Sequence, residues 1–336
     1  MNYLVLKQRI YLVISVLTLI VLGSGYGSCT KFSDRLSDSA MVALDSFHHC
    51  QYMARSRGIG AAGRRSEQFD YANLLSRHTT AEQLVEIANT DTSRITRLWA
   101  YRILLKKADN QVIDVLKQAL KDTTYVEMMS GCSEFEEPYN RAAISIYRYD
   151  SYELKLPNQL CFSLDSLIFF GYMKNKGFEN GLLMDFKPHK IYYATVIEEA
   201  DKGNYAILPL LAQYKNPNDR QRINKLLKAL LKEDGICSYE ACDAISNWND
   251  PAFEWYAKAA CQATIKQEYY YADEVLQLLC AYPAPWSYQI LKELLTQKGD
   301  YSYSDTAKDY LTELYKTHPV PPIFKPLYDR YVARKK

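Results

Sequence analysis

Histidine and cysteine side chains are the residues of this chain that could bind a metal ion. They come together once, at His48, His49 and Cys50. Adjacent side chains on a helix point in different directions, and no second cluster of ligand types follows, whereas a zinc site needs three or four converging ligands. The remaining histidines each stand alone. We therefore expect these residues at surface, half-buried or helix-capping positions, and we predict no metal site.

A glycine pattern between Gly58 and Gly63, Gly-Ile-Gly-Ala-Ala-Gly, matches the dinucleotide-binding fingerprint. In that fingerprint the glycines follow a buried strand and let a phosphate group approach the start of a helix. No apolar strand precedes Gly58 in the sequence, so a flexible tether or a loop between two short helices is the better interpretation. The sequence also lacks the signatures of serine hydrolases, phosphate-binding loops and zinc metalloproteases. We predict no catalytic residue and no cofactor.

Seven cysteines follow Cys29, and their spacing leaves three interpretations open. Packing as small apolar residues between helices is favoured. A disulfide between Cys237 and Cys242 requires Cys237 to lie in a turn, because on one continuous helix the two side chains would point about 140° apart. Equal intervals separate Cys242, Cys261 and Cys280, which lie in successive predicted helices. A metal site formed by these cysteines is the third interpretation, and the least favoured.

The chain has 29 tyrosines among its 336 residues, and its second half is rich in aromatic residues. Aromatic rings stack on sugars and on peptide side chains, so a recognition surface could include Trp248, Trp255, Trp286 and Tyr270. Helical cores also use aromatic residues, and packing is the simpler interpretation for most of them.

Charge and composition exclude several classes of protein. The chain has 41 basic and 39 acidic residues and no long block of like charge, so nucleic acid has no electrostatic reason to bind. It has 13 glycines and 12 prolines, too few for a disordered chain or a turn-rich β-sandwich. Helices are favoured.

The first 29 residues have the order of an export signal. Lys7 and Arg9 precede an apolar run over residues 10–22, and a stretch of small residues then ends at Cys29. The apolar run is shorter than the roughly 18 to 20 residues of a membrane-spanning helix. The end of the segment resembles the lipobox of bacterial lipoproteins, with Tyr26 where an aliphatic residue is usual. This resemblance implies that Cys29 is lipidated and becomes the first residue of the mature chain; ordinary signal-peptide cleavage and an uncleaved anchor are the alternatives.

Apolar residues beyond residue 80 follow helical periodicity. The clearest stripe comprises Ile223, Leu226, Leu227, Leu230 and Leu231, which lie on one face of a helix. Such a one-sided helix needs neighbouring elements to cover its apolar face.

Helix-start signals recur at a fixed spacing, because Pro217, Pro251 and Pro285 are 34 residues apart. Proline is tolerated in the first turn of a helix, where its missing N–H has no intrahelical partner. A period of this size holding two helices is typical of an α-solenoid. Residues 203–318 resemble HEAT-type helical repeats, with tetratricopeptide repeats as the alternative, and residues 81–121 resemble them more faintly.

The region between the helical blocks has a different character. Residues 124–129 and 143–147 are rich in β-branched and aromatic side chains, which predicts short strands or an irregular insertion. Glycines in residues 171–190 indicate a loop. Three stretches resemble Bacteroidetes-type lipoproteins with helical repeats: Leu-Lys-Asp at 120–122, Ser-Gly-Cys at 130–132 and Leu-Asp-Ser-Leu-Ile at 164–168. Those proteins have no settled activity, so this resemblance implies no mechanism.

The predicted fold is therefore all-α, an α-solenoid of HEAT-like or tetratricopeptide-like helical pairs with a small irregular or β-containing insertion. The expected regions are a signal peptide at 1–28, a tether with N-terminal helices at 29–80, a helical repeat at 81–121, the insertion at 122–190 and a helical array at 191–334.

The expected function is that of a lipid-anchored, non-enzymatic scaffold in a bacterial cell envelope, on the periplasm-facing side of the outer membrane. Its expected partner is another envelope protein, and membrane attachment would come from lipidated Cys29. A glycan-binding surface lipoprotein is the alternative. An enzyme using carboxylates of the 123–190 region comes third.

Overall fold

The computed structural model describes residues 35–60, 62–183, 186–234, 238–266, 272–296 and 304–333. The chain divides into two compact units, residues 1–167 and 168–336. Most of the described residues are helical, and a four-stranded sheet lies in the first unit. The prediction of a mostly helical protein with a small β insertion is confirmed. None of the helices in the described ranges has the length and apolar character needed to cross a membrane.

The first unit combines helices with one small sheet. Its elements are α1 Asp38–His48, β1 Met53–Ile59, β2 Arg64–Arg65, α2 Gln68–His78, α3 Ala81–Thr90, α4 Arg94–Lys106, α5 Val112–Ala119, β3 Tyr125–Gly131, β4 Ser133–Pro138, α6 Tyr139–Leu154 and α7 Asn158–Leu167. The strand order is β2-β1-β3-β4, with β1 parallel to β3 and the other pairs antiparallel. Three helices begin at side-chain caps, which are Ser37, Thr80 and Ser93.

Helix α4 is the centre of the first unit, since it contacts α1, α2, α3, α5, α6 and β1. Except for the half-buried Arg97, its side chains are buried from Ile95 to Leu105, around the whole helix. Such a helix must satisfy its polar groups internally. Trp99 Nε1 donates a hydrogen bond to Gln68 Oε1 at 2.8 Å, and the same oxygen accepts from the Ala54 amide at 3.0 Å. These bonds join α4, α2 and β1.

A buried ion pair adds a second connection. Arg102 on α4 donates two hydrogen bonds to the Asp150 carboxylate on α6, both at 2.7 Å, and both side chains are at most 4% exposed. The remaining guanidinium nitrogen, Nη1, donates to the carbonyl oxygens of Ala54 and Arg55 on β1. The guanidinium also lies 5.0 Å from the ring centre of Phe69. The pair therefore fixes β1 and α6 against the central helix.

Two local predictions in this unit are wrong. The expected tether contains strand β1, whose polar sequence over Arg55–Gly58 gave no apolar alternation; pairing with β3 stabilises it. Residues 143–147 form part of helix α6, because Ala143, Ile146 and Tyr147 bury a helical face that overrides their β propensity. Strand β3, by contrast, lies where short strands were expected.

The second unit is built from helices and short helical turns. Its elements are a π-helical turn Ile168–Met173, α8 Lys174–Lys176, α9 Asn180–Leu183, α10 Lys190–Asp201, α11 Leu208–Gln213, α12 Arg220–Asp234, α13 Tyr239–Trp248, α14 Glu254–Lys266, α15 Ala272–Ala281, α16 Pro285–Thr296, α17 Ser304–Thr317, α18 Lys325–Leu327 and a π-helical turn Tyr328–Val332. Three 3₁₀ turns lie at Tyr205–Ile207, Pro217–Asp219 and Pro251–Phe253. The boundary between the units falls within the region expected to form one insertion, residues 122–190.

Helices α10 to α17 pack in two interleaved series. Each of α11, α13, α15 and α17 contacts the next member of that series, and α10, α12, α14 and α16 do the same. The apolar stripe of α12 is buried at Ile223, Leu226, Leu227 and Leu230. The 34-residue period of the sequence corresponds to a cap that recurs in the structure. The side chains of Asn216 and Asp250 each accept a hydrogen bond from the amide two residues later.

Tyr282 ties one period to the next. Its hydroxyl donates to the carbonyl oxygens of Ile245 at 3.1 Å and Asp250 at 3.2 Å, and the residue is 6% exposed. Ser287 Oγ in turn donates to the Tyr282 carbonyl oxygen at 2.7 Å. The segment that leads into α14 is therefore held by residues from the following period.

Candidate functional site

An open groove of about 560 Å³ lies between α12 and the start of α14. This volume is within the range of about 300 to 1,000 Å³ that is usual for ligand sites. It is lined by Gln221, Asn224, Lys225, Lys228, Ala252 and Trp255. The lining therefore combines an aromatic ring, two side-chain amides and two ammonium groups.

Helical periodicity places the polar residues of the groove on one face of α12. Asn224, Lys225 and Lys228 follow Gln221 by three, four and seven positions, so all four lie on the side of the helix opposite its buried leucines. Gln221 and both lysines are exposed, and Asn224 is partly covered.

Trp255 forms the aromatic wall. Its Nε1 donates a hydrogen bond of 2.6 Å to Asn224 Oδ1 on α12, and the residue is 36% exposed. Lys228 Nζ lies 6.0 Å from the centre of the indole ring, at the outer limit of a cation–π contact. Because its polar edge is bonded to Asn224, the ring is fixed and presents apolar surface to the groove.

Asp250 sets the spacing of the two walls. Its Oδ1 accepts from the Ala252 amide at 2.9 Å, and its Oδ2 accepts from Arg220 Nε at 2.8 Å and Nη2 at 2.7 Å. Burial raises the pKa of Asp250, but the hydrogen bonds from Arg220 and Ala252 and the positive charge of Arg220 outweigh it, leaving the pKa below its ordinary value. One carboxylate thus connects the first residue of α12 to the turn that precedes α14.

The basic residues of α12 divide into two classes. Both arginines are paired: Arg220 binds Asp250, and Arg222 binds Asp201 and Asp219. Lys225 and Lys228 have no carboxylate of the described residues within salt-bridge distance. The arginines therefore hold the array together, while the groove lysines retain charge that a ligand could neutralise.

Of the aromatic residues predicted to form a recognition surface, the structure brings Trp255 to the groove. Trp248 packs its ring against Phe253 at 5.1 Å, edge to face. Trp286 Nε1 donates to Glu254 Oε1 at 2.8 Å, which links α16 to α14. Both are partly covered and serve packing between helices. Tyr270 and Cys29 lie outside the described residues.

The histidines that could have bound a metal ion instead make hydrogen bonds within the fold. His48 Nε2 hydrogen-bonds Asp91 Oδ1 at 2.9 Å, and His189 caps α10. Within the described ranges, no group of three or more histidine, cysteine, aspartate or glutamate residues could hold a metal ion.

The glycine pattern does not form a dinucleotide site. Strand β1 does precede it, contrary to expectation, but the chain turns back into β2 instead of entering a helix. Gly60 and Gly63 adopt positive φ angles of 72° and 59° in that turn, which explains the glycines there.

The cysteines also separate into classes. Cys242 is disulfide-bonded, and Cys237, its candidate partner, lies outside the described residues. Cys261 is a free, buried thiol packed within the array, and burial raises its pKa. This protonated, inaccessible thiol is unsuited to nucleophilic chemistry.

Sequence reasoning missed five residues of the groove, namely Gln221, Asn224, Lys225, Lys228 and Ala252. A signal was present, because every charged residue of α12 before Glu233 is basic. What the sequence did not reveal is that this face would lie beside a tryptophan some 30 residues later.

Comparison of the chain with protein-family models, with curated proteins and with solved structures found no match in any of the three.

Proposed function

We propose that this protein is a lipid-anchored, non-enzymatic envelope protein whose helical array binds another envelope protein in the groove at Trp255. The observation that carries the proposal is a fixed, partly exposed indole ring next to two lysines that form no salt bridge with a carboxylate of the described residues. Tryptophan is over-represented among the residues that dominate the energetics of protein interfaces.

The helical array is proposed to be an α-solenoid of HEAT-like pairs. Supporting this are the two interleaved series of helices and the caps at Asn216 and Asp250, which recur after 34 residues. The same spacing suits tetratricopeptide repeats. In either architecture, successive helices form an extended surface on which a partner segment can lie.

Binding of a glycan is the second candidate function. The side-chain amides of Gln221 and Asn224 lie beside an aromatic ring, and sugars are bound by this combination of stacking and hydrogen bonds. A screen of soluble neutral glycans by thermal shift separates the two functions. The protein-binding proposal expects no glycan to raise the melting temperature, and a saturable rise that Trp255→Ala abolishes would favour the glycan.

Affinity capture from cells tests the protein-binding function. We expect one or two proteins to be enriched with the wild-type chain and to be lost with Ala252→Leu, because a larger side chain at position 252 fills the groove while leaving its backbone amide bond to Asp250 intact. Ala229→Leu is the matched control, since Ala229 is exposed on α12 but does not line the groove. Equal capture by both variants and the wild type would refute a partner site at this groove.

Membrane attachment is proposed to come from Cys29, and the mature chain is proposed to face the periplasm from the outer membrane. The support is the order of basic, apolar and small residues before Cys29. We expect Cys29→Ala to abolish incorporation of labelled palmitate and to shift the protein from the membrane to the soluble fraction. Retention of the variant in the membrane would indicate an uncleaved anchor instead.

A further inference from the structure

Helices α12, α13 and α15 of the array differ in the sign of their charge. In α13 the charged residues are Glu240 and Asp243, and in α15 they are Asp273 and Glu274, so both helices carry only negative charge. Helix α12, which lines the groove, carries five basic residues before its two C-terminal carboxylates. A negatively charged ligand is therefore attracted to α12 and repelled from α13 and α15.

The lysines of α12 continue beyond the groove. Lys232 is exposed and lies four residues after Lys228. At about 1.5 Å per residue, Lys225, Lys228 and Lys232 are spread over roughly 10 Å of helix. Alternate residues of an extended peptide are about 7 Å apart, so two or three carboxylates on one side of such a peptide match this stripe.

The shape of the site favours a peptide over a lipid surface. Trp255 lines a groove, its Nε1 is bonded to Asn224, and about a third of the residue is exposed. A tryptophan at a bilayer interface places its apolar ring in the membrane and its N–H in the polar headgroup region. A groove with one apolar wall and one basic wall instead fits a chain that carries an apolar side chain between acidic ones.

We infer that the ligand of this groove is an acidic peptide segment of the partner protein, with an apolar side chain on Trp255 and carboxylates at Lys225, Lys228 and Lys232. The inference rests on the proposed function and gives its partner a chemical class. The attraction is electrostatic, so binding weakens as salt concentration rises.

A peptide titration tests this inference. The probe is a fluorescein-labelled Glu-Leu-Glu-Phe-Glu-Leu peptide, and its matched control replaces every glutamate with glutamine. The full chain with Cys29→Ala is used, so that no lipid contributes. We expect the acidic peptide to bind at least about tenfold more tightly than the glutamine peptide, and Lys225→Glu with Lys228→Glu to lower its affinity by about tenfold or more.

The matched charge control is Lys117→Glu with Lys121→Glu, two exposed lysines of the first unit, which should leave affinity unchanged. Equal binding of both peptides, or equal losses in both double variants, would overturn the inference.

Two further measurements on the same proteins test whether a lipid surface or a second copy of the chain occupies the groove instead. Binding to phosphatidylglycerol vesicles without peptide binding would assign the face to lipid, and self-association in sedimentation velocity that Lys225→Glu with Lys228→Glu abolishes would assign it to a second copy.

Failure of the inference is distinguishable from failure of the proposed function. If Ala252→Leu abolishes partner capture but the acidic peptide does not bind, the groove binds a protein of different chemistry. If the peptide binds but partner capture is insensitive to Ala252→Leu, the groove is not where the cellular partner binds.

Discussion

Replacing Asp150 with alanine is expected to lower the free energy of unfolding of the first unit by about 3 to 5 kcal/mol. The substitution leaves the Arg102 guanidinium, 3% exposed as a residue, without its carboxylate in the core. An unpaired buried charge destabilises the fold by more than the intact ion pair stabilises it, because the desolvation of the charge is no longer offset by its partner. Urea unfolding followed by far-ultraviolet circular dichroism measures the effect.

The control for this experiment is Asp70→Ala, which removes a carboxylate that pairs with Arg65 while both side chains are more than half exposed. Its expected cost is at most about 1 kcal/mol. The double substitution Arg102→Met with Asp150→Leu should recover most of the loss, because it removes both charges and keeps apolar volume. A loss below about 1 kcal/mol for Asp150→Ala would show that the pair is not buried as described.

Replacing Asp250 with alanine is expected to destabilise the second unit by about 2 to 3 kcal/mol. The change removes both the cap on the Ala252 amide and the carboxylate oxygen that accepts two hydrogen bonds from Arg220. A lost helix cap costs about 0.5 to 2 kcal/mol, and Arg220, which is 46% exposed, can recover part of its loss through solvent. Because Asp250 spaces the groove walls, the affinity for ligand should fall together with stability.

Asp250→Asn separates the two contributions, since Asn216 caps the equivalent turn one period earlier. Asparagine keeps the cap and loses the ion pair, so a cost of about 1 kcal/mol is expected. Equal destabilisation by alanine and asparagine would contradict a capping role.

The pH dependence of these variants follows from the lowered pKa of Asp250. A carboxyl whose pKa is lower in the folded state stabilises the protein above its unfolded pKa, near 4, and this contribution disappears as pH falls through the folded pKa. The difference in melting temperature between wild type and Asp250→Asn should therefore be largest at neutral pH and shrink below about pH 4. A difference that grows on acidification would contradict the assigned direction.

The helices could be predicted where one face is apolar and the other polar. The stripe from Ile223 to Leu230 and the caps at Asn216 and Asp250 are local signals, and the structure contains the corresponding elements. Strand β1 gave no such signal, because it pairs with β3, some 70 residues later, at Met53, Ala54 and Ile59, and its polar residues 55–58 lie at an irregularity between those pairs. In α6, tertiary burial decided between helix and strand.

The site was less predictable than the helices. Trp255 was one of four aromatic residues predicted to form a recognition surface. The sequence alone did not show that Trp255 would line a groove while Trp248 would pack between helices. The distinction depends on which helix lies beside each ring: α12 brings Asn224 and two lysines to Trp255, whereas Phe253 covers Trp248. Such juxtapositions depend on packing between helices and have no local sequence signature.

The most direct test of the groove as a binding site is photo-crosslinking in living cells. A photoreactive phenylalanine analogue replaces Gln221, which lines the groove, and in a parallel strain it replaces Gln118, an exposed residue of α5. We expect a specific protein adduct at position 221 that Ala252→Leu in the same chain eliminates, and no matching adduct at position 118. The same adducts at both positions, or an adduct at 221 that survives Ala252→Leu, would contradict binding in the groove.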